Sequence, residues 1–275
     1  METAAAELRA LDYAGRLLVN IDSPEQYLRV RDSLPARAEL GARIRLTPPR
    51  RGGQASCSRF GLDPAHPRSL ELLRSDERFV ALHVHVGNED NTHDTYVDMA
   101  RALAELGARL PRPVRCINLG GGQRHVSVVA LERLMAEIRR SCLADTLLVL
   151  EPGAFWFERS GYAFCRVLSR SHDALGCRII TDISRECHLR WSSPTLRWAP
   201  PKSEPGITER VHLVGPTCYE ADMIGSFTVR RTSEGRELAP GACLVLANIS
   251  SYAAAWNSAF NGIAKAEVIF DGVDR

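Results

Sequence analysis

The stretch FVALHVHVGNEDNTHDTYVDMARALAELGARLPRPVRCINLGGG, residues 79–122, decides the fold. It opens with an apolar run at residues 79–86, which is typical of a strand buried on both faces. From Thr92 onward apolar residues recur every three or four positions, which predicts a helix, and Gly107 stands where a helix C-cap glycine is common. A second apolar run at 114–119 ends in three glycines. Strand, helix and strand in this order predict a βαβ unit with parallel strands.

The same alternation extends on both sides of this unit. Further strands are predicted at 16–21, 42–46 and 146–150, and another helix is marked by Leu131, Leu134 and Ile138. Beyond about residue 175 the pattern changes to strands separated by turn-rich stretches, with strands predicted at 179–183, 210–214, 242–246 and 266–270. We therefore predict an α/β domain over residues 1–172 and a mainly β domain over residues 173–275.

Composition excludes several classes of protein. The 275 residues are 25% charged and 45% hydrophobic, with 35 basic and 33 acidic residues. A formal charge of +2 supplies no field that would attract nucleic acid or an anionic membrane, so neither partner is expected. No apolar run reaches the roughly 18 residues of a membrane helix and no signal peptide is recognisable, so we expect a cytoplasmic protein. The eight cysteines form no CxxC pair and are expected to be free thiols.

The ends of the predicted strands carry the chemistry-bearing residues, as expected for parallel α/β folds. Asp22 and Ser23 follow the first strand and are expected to cap a helix. The other strand-end candidates are Arg45, His83, His85, Gly120, Gly121, Gly122, Glu151 and Gly153. His83 and His85 share one face of their strand, so with His93 nearby they form a metal site. Alternatively, one of the two lies in the core and the other stacks on a ligand or bonds to the backbone. The three glycines form either an anion cradle or a flexible loop.

Five ordered motifs resemble the fold-type III pyridoxal-phosphate decarboxylases that act on ornithine, diaminopimelate and arginine. These are HVG at 85–87, GGG at 120–122, EPG at 151–153, GPTCYEAD at 215–222 and SYAAAWNSAFNG at 251–262. The stretches NIDSPEQ, RIRL and SRFGLD, between residues 20 and 63, are similar to the middle of that family's barrel. The resemblance covers about residues 8–272 and implies a partial (β/α)8, TIM-like barrel with strands 4 to 8 only, plus a C-terminal mainly β domain.

The resemblance also implies the site and its cofactor, pyridoxal 5'-phosphate. Glu151 is expected to pair with the pyridinium nitrogen, which keeps it protonated, and His85 to stack on the ring. Arg45 is expected near the ring, and the phosphate contacts are expected from Gly120, Gly121, Gly122, Gly153 and Tyr252. In the family the residue corresponding to Cys218 comes from the neighbouring subunit and helps to reprotonate the substrate carbon, which implies a homodimer with shared sites.

Some residues depart from the family pattern. Asn88 stands where serine is usual, and Ala154 where arginine is usual. Tyr219 occupies the position of an acidic residue that receives the substrate's distal amine, so Glu220 or Asp222 would have to substitute, and an ordinary diamine-type substrate is not expected.

The Schiff-base lysine of the family lies on the first barrel strand, which has no counterpart here. The chain contains two lysines, Lys202 and Lys265, and neither falls at that position. The resemblance therefore implies an N-terminally truncated relative. Five parallel strands leave two open edges, which a partner chain, an unusual dimer, or residues missing through a wrongly placed start codon would have to cover.

Three functions follow from these patterns. The first is an amino-acid decarboxylase, or a relative with racemase-like chemistry, whose lysine-bearing part is encoded elsewhere or is lost to a wrongly assigned start site. The second is a catalytically inactive homologue that acts by binding protein or cofactor. The third is a metal-dependent barrel enzyme that uses His83, His85 and His93.

Overall fold

A computed structural model describes residues 16–46, 58–86, 92–123, 127–141, 145–174, 176–197, 207–232, 234 and 236–270. The chain divides into two compact units, Met1–Phe155 and Trp156–Arg275. Within the described ranges, no helix is both long enough and apolar enough to cross a membrane.

The first unit is built on a five-stranded parallel sheet with helices between its strands. The strands are β1 Leu18–Ile21, β2 Glu39–Arg43, β3 Phe79–His83, β4 Cys116–Asn118 and β5 Leu147–Val149. The helices are α1 Pro24–Val30, α2 Pro67–Ser75, α3 His93–Ala108 and α4 Val128–Ser141, and a short helix α5, Gly153–Phe157, follows β5. The strands lie side by side in chain order. This is a partial TIM-like barrel, and the predicted α/β fold class is confirmed.

The apolar run at residues 79–86 forms the central strand, as predicted, but β3 ends at His83. All five residues of β3 are buried. The second strand begins three residues earlier than predicted. In it Gly41 pairs with Asn20 of β1, and a Cβ at Gly41 would lie 2.1 Å from Asn20 Oδ1, so a larger residue there would require the Asn20 side chain to move.

The helix caps follow the local sequence, with one exception. Ser23 Oγ accepts a hydrogen bond from the Gln26 N–H at 3.1 Å, which confirms it as the N-cap of α1. Thr92 caps α3 in a reciprocal capping box with Thr95. The predicted role of Gly107 as a C-cap is wrong, because α3 continues to Ala108. Gly107 is instead a close packing position, since a Cβ there would lie 3.1 Å from Val114 Cγ2.

The second unit is a six-stranded mixed sheet in the order β10-β9-β7-β6-β11-β8. Its strands are β6 Gly161–Asp173, β7 Gly176–Thr181, β8 Thr195–Leu196, β9 Ile207–Val214, β10 Met223–Arg231 and β11 Cys243–Ile249. Two short helices, α6 Arg185–His188 and α7 Tyr252–Ala255, and a 3-10 turn at Arg236–Leu238 accompany them. Neighbouring strands are antiparallel except for β7 and β9, which are parallel. The predicted C-terminal mainly β domain is therefore present.

The structure differs from the sequence-based expectations here in three ways. Strands β6, β8 and β10 were not predicted. The unit boundary lies at Phe155 rather than at residue 172, because β6 pairs with β7 and β11 of the second sheet. The strand predicted at 266–270 is wrong. The backbone N–H and C=O of Ala266 bond to the side-chain amide of Asn257, at 2.9 Å and 2.6 Å, instead of to a strand.

Candidate active site

Polar side chains from two neighbouring strands meet at the carboxyl edge of the parallel sheet. Glu151 lies just beyond the end of β5, and Asn118 is the last residue of β4. Asn118 Nδ2 donates to Glu151 Oε1 at 2.8 Å, and its Oδ1 accepts the Gly120 N–H, also at 2.8 Å. The amide therefore fixes one oxygen of a half-exposed carboxylate. Asn118 was not predicted as a site residue, although a polar residue at the end of a buried strand, just before three glycines, is a usable signal.

His85 lies beside this carboxylate with its ring held in one orientation. The Gly121 N–H donates to His85 Nδ1 at 3.0 Å, so Nδ1 carries the lone pair and the ring proton is on Nε2. Nδ1 lies 3.7 Å from Glu151 Oε2. A Cβ at Gly120 would approach Nδ1 to 2.7 Å, so the glycines allow the imidazole to lie against the loop. Burial lowers the pKa of His85, which keeps the ring neutral.

The glycine N–H groups that were predicted to hold a phosphate have other partners. The Gly120 and Gly121 N–H groups bond to Asn118 and His85, and the Gly153 N–H bonds to the Glu151 carbonyl at 2.7 Å. Gly120 and Gly121 therefore fix the side chains of the site. Gly122, at φ +91°, is the remaining candidate of this set for an anion contact.

The arginine beside the histidines is Arg43 rather than Arg45. Arg43 donates to the His85 carbonyl at 3.3 Å and lies 3.7 Å from Asp22 Oδ1. Arg45 donates instead to the Gly61 carbonyl at 3.0 Å. The strand predicted at 42–46 begins three residues later than the observed β2, so the prediction put Arg45 rather than Arg43 near the end of the strand. Since the two arginines are two positions apart on an extended backbone, alternation alone does not distinguish them.

His83, the last residue of β3, is buried next to the same carboxylate. Its Nε2 lies 3.7 Å from Glu151 Oε1. Burial is the largest cause that lowers the pKa of His83, to about 4, and the Arg43 and His85 charges add to it, while Glu151 and Asp22 act in the opposite direction. At neutral pH the site therefore contains two neutral imidazoles and one carboxylate.

The structure brings together a different set of candidate metal ligands from the set predicted from the sequence. The ligand atoms of His83, His85 and Glu151 lie within 4.8 Å of one another, whereas His93 is not in this group. His93 lies on α3 and bonds to Glu137 of α4 at 2.7 Å. Because the Gly121 N–H already uses the Nδ1 lone pair of His85, that nitrogen is not available to a metal ion.

Acid is expected to destabilise the first unit between about pH 6.5 and pH 4, because His83 is buried. The pKa of His83 is about 4 in the fold and 6.5 ordinarily, so between these values only the unfolded chain binds the proton. Stability is fully present above pH 6.5 and falls as the pH is lowered towards 4. Urea unfolding followed by circular dichroism should give a flatter pH profile for His83→Leu than for the wild type. The exposed control His93→Leu should keep the wild-type slope, and an unchanged slope in His83→Leu would contradict the assignment.

In the second unit, the loop after β9 presents Cys218, Tyr219 and Glu220 to solvent. Asn261 Nδ2 donates to Cys218 Sγ at 3.1 Å. The thiol predicted to take part in chemistry is thus exposed and held by an amide donor, whereas Cys116, Cys165, Cys177 and Cys187 are buried. Burial raises the pKa of Cys165 to about 12. Sequence analysis noted the Phe260-Asn261-Gly262 segment without predicting this contact.

Asp222, predicted as a substrate ligand, has a different position from its loop neighbours. It is 3% exposed. Its carboxylate accepts hydrogen bonds from Ser184 Oγ at 3.0 Å, Arg185 N at 2.7 Å and Thr217 Oγ1 at 2.6 Å. These bonds tie the 215–222 loop to the start of α6. The structure gives Asp222 the role of holding the loop, and leaves Tyr219 and Glu220 as the accessible candidates.

Tyr252, predicted to hold the phosphate, begins α7 as part of an aromatic cluster. Its ring lies 5.5 Å from the Trp191 ring, which lies 5.2 Å from the Trp256 ring. Arg190 lies over Trp256, with its Cζ 5.0 Å from the ring centroid. Trp191 has φ +61°, a backbone conformation that bulky residues rarely adopt.

The predicted positions Asn88, Gly87 and Lys202 lie outside the described residues.

Comparison with known proteins shows which solved structures have a fold similar to that of this chain. No protein-family profile matches the chain, and no curated protein sequence matches it. Solved structures do match. The arginine decarboxylase of Paramecium bursaria Chlorella virus is 17% identical, with a TM-score of 0.68 over 90% of this chain and 69% of its own. A lysine/ornithine decarboxylase of Vibrio vulnificus, complexed with putrescine, is 20% identical, with a TM-score of 0.67 over 96% of this chain and 72% of its own.

A third match has the same character. The diaminopimelate decarboxylase of Helicobacter pylori, complexed with L-lysine, is 16% identical, with a TM-score of 0.70 over 95% of this chain and 69% of its own. At these identities the comparison establishes the fold. The resemblance drawn from the five sequence motifs is confirmed at that level, and the matches span both units of the chain.

Proposed function

We propose that this chain, which shares its fold with the fold-type III pyridoxal-phosphate decarboxylases, is the cofactor-binding part of an amino-acid decarboxylase. The observation that carries the proposal is the Glu151 carboxylate, which Asn118 fixes at 2.8 Å beside the locked, neutral His85 ring. A carboxylate held open at a strand end is suited to accept the N–H of a pyridinium ring. When bound, the cofactor supplies an electron sink for the bond pair that remains after carbon dioxide leaves.

Each residue of the site has a defined task in this proposal. Glu151 accepts a hydrogen bond from the ring N–H, and its negative charge keeps the proton on the ring nitrogen. His85 presents a flat neutral face whose orientation Gly121 fixes. Arg43, which donates to the His85 carbonyl, takes the place near the cofactor ring that was predicted for Arg45. Gly122 remains the proposed phosphate contact of the first unit, and a phosphate contact from Tyr252 stays a prediction from the resemblance.

The lysine that carries the cofactor is proposed to come from outside residues 1–275, in the same polypeptide or in another chain. Lys265 is exposed and lies in the C-terminal segment, not at the end of a strand of the parallel sheet. The matched decarboxylases have about 30% of their length beyond the matched region. A homodimer with Cys218 at a shared site is proposed with it, and three exposed apolar residues on β6 support burial against a second copy, Tyr162, Phe164 and Leu168.

The proposed substrate is an amino acid without a distal ammonium group. Tyr219 is 57% exposed at the position where an acidic residue would receive such a group. Glu220 is the remaining exposed carboxylate of the loop. We therefore expect bulky or uncharged side chains to be preferred over ornithine.

The proposal is tested by titrating the purified chain with pyridoxal phosphate and by assaying carbon dioxide release from carboxyl-labelled amino acids. We expect one saturable cofactor site per chain. Turnover is expected only when an amine, such as ethylamine or a lysine-bearing partner, is added. Free cofactor with ethylamine and no protein is the control.

Three outcomes separate the alternatives. Borohydride trapping of the cofactor on Lys202 or Lys265, with turnover in the absence of added amine, would contradict an external lysine. Cofactor binding without turnover under every condition would favour the inactive homologue. Absence of binding, together with stoichiometric zinc, iron or manganese in the purified chain, would favour the metal enzyme.

A further inference from the structure

His83 is a buried polar side chain without a visible structural use. Its side chain is 9% exposed. Neither Nδ1 nor Nε2 has a hydrogen-bond partner among the described residues. A buried imidazole with both nitrogens unbonded costs free energy that an apolar residue of similar size would not. Because every other residue of β3 is apolar, the polar side chain at this position calls for a functional explanation.

The surroundings of His83 point to one partner. Its Nε2 lies 3.7 Å from Glu151 Oε1, the same oxygen that accepts the Asn118 amide at 2.8 Å. The other charged or titratable groups that affect His83 are Arg43 from β2, His85 beyond β3 and Asp22 beyond β1. A carboxylate oxygen has lone pairs for two donors. A movement of less than about 1 Å would turn the 3.7 Å approach into a hydrogen bond of ordinary length.

We infer that His83 is a positioning residue for Glu151, and that its Nε2–H is the second donor to Oε1 when the carboxylate meets the ring nitrogen of the cofactor. The inference rests on the proposed function. With Asn118 and His83 both on Oε1, Oε2 is left to accept the hydrogen bond from the ring nitrogen of the cofactor. His83 does not touch the reacting atoms. It acts through Glu151, and its buried donor is satisfied only in the bound state.

The inference requires a defined tautomer in the cofactor-free chain. If Nε2 faces the carboxylate as a donor, the ring proton lies on Nε2. Nitrogen-15 NMR of histidine-labelled protein at pH 7 distinguishes the two tautomers of the His83 ring, and the His83→Gln variant assigns the resonance. We expect the Nε2–H tautomer for His83 and a loss of that preference in Glu151→Gln. The Nδ1–H tautomer would overturn the inference whether or not the cofactor binds.

Substitutions at His83 distinguish a role in positioning Glu151 from a role in packing. His83→Leu removes an unsatisfied buried group, so the cofactor-free protein should be at least as stable as the wild type, while its cofactor affinity falls about tenfold. His83→Gln keeps an N–H donor at nearly the same reach and should restore affinity to within about threefold of wild type. Wild-type affinity in His83→Leu would overturn the inference. If the wild-type chain does not bind the cofactor at all, the proposed function fails, and the tautomer measurement still decides the role of His83.

Discussion

Glu151→Gln is expected to weaken pyridoxal-phosphate binding by about 10- to 100-fold, because it replaces a charge-assisted hydrogen bond to the pyridinium with a neutral one. Glutamine keeps the size of the side chain, and its carbonyl oxygen still accepts from Asn118 Nδ2, which is 2.8 Å from Glu151 Oε1. The fold should therefore survive. Equilibrium titration of cofactor absorbance, with circular dichroism to check folding, measures the effect.

The control for this change is a carboxylate of the same unit that is remote from the site. Glu137 lies on α4 and pairs with His93 at the surface. Glu137→Gln should leave cofactor affinity within about twofold, because an exposed pair contributes little. Equal affinity in the Glu151→Gln and wild-type proteins would show that this carboxylate does not hold the cofactor ring.

Asp222→Ala is expected to destabilise the second unit by about 3 kcal/mol, because it removes the acceptor from several buried donors at once. Ser184 Oγ, Arg185 N and Thr217 Oγ1 would lose the carboxylate they now bond at 3.0, 2.7 and 2.6 Å. All four tryptophans of the chain lie in residues 156–275. Urea unfolding followed by tryptophan fluorescence therefore reports on this unit.

The matched control is Glu220→Ala, two residues away in the same loop. Glu220 is exposed, so its removal should change stability by less than about 0.5 kcal/mol. Thr217→Val, which removes one of the donors, should give an intermediate loss. If the Asp222→Ala and Glu220→Ala variants have equal free energies of unfolding, Asp222 does not hold the loop. Its predicted role as a substrate ligand would then again be the better explanation.

Prediction from sequence worked best where one element dictates its own structure. The buried run at β3 and the capping residue Thr92 are local signals, and both elements were found. Glu151 and His85 were predicted as site candidates because parallel strands gather their ends at one edge, and the structure places them 3.7 Å apart. β6 was missed because its 13 residues mix polar and apolar positions, with an outer face that includes Arg166 and an inner face that includes Val167.

The remaining parts of the site depend on contacts between distant segments. Asn118 and Glu151 are 33 residues apart, and only the register of β4 with β5 brings them together. The choice between Arg43 and Arg45 depends on where β2 lies in the chain, and the pairing of β2 with β1 and β3 fixes this range. The N–H groups of Gly120 and Gly121 form a phosphate cradle only if no side chain takes them first, and sequence does not reveal such competition.

The role of Glu151 is tested by measuring the protonation state of the cofactor ring nitrogen on the protein. Nitrogen-15 NMR of ring-labelled pyridoxal phosphate bound to the wild-type chain at pH 7.5 distinguishes a pyridinium from a free pyridine nitrogen. We predict a protonated ring nitrogen in the wild type and an unprotonated one in Glu151→Gln. A bound cofactor whose ring nitrogen is unprotonated in the wild type, or is unaffected by the substitution, would contradict the assignment of Glu151 and the function proposed from it.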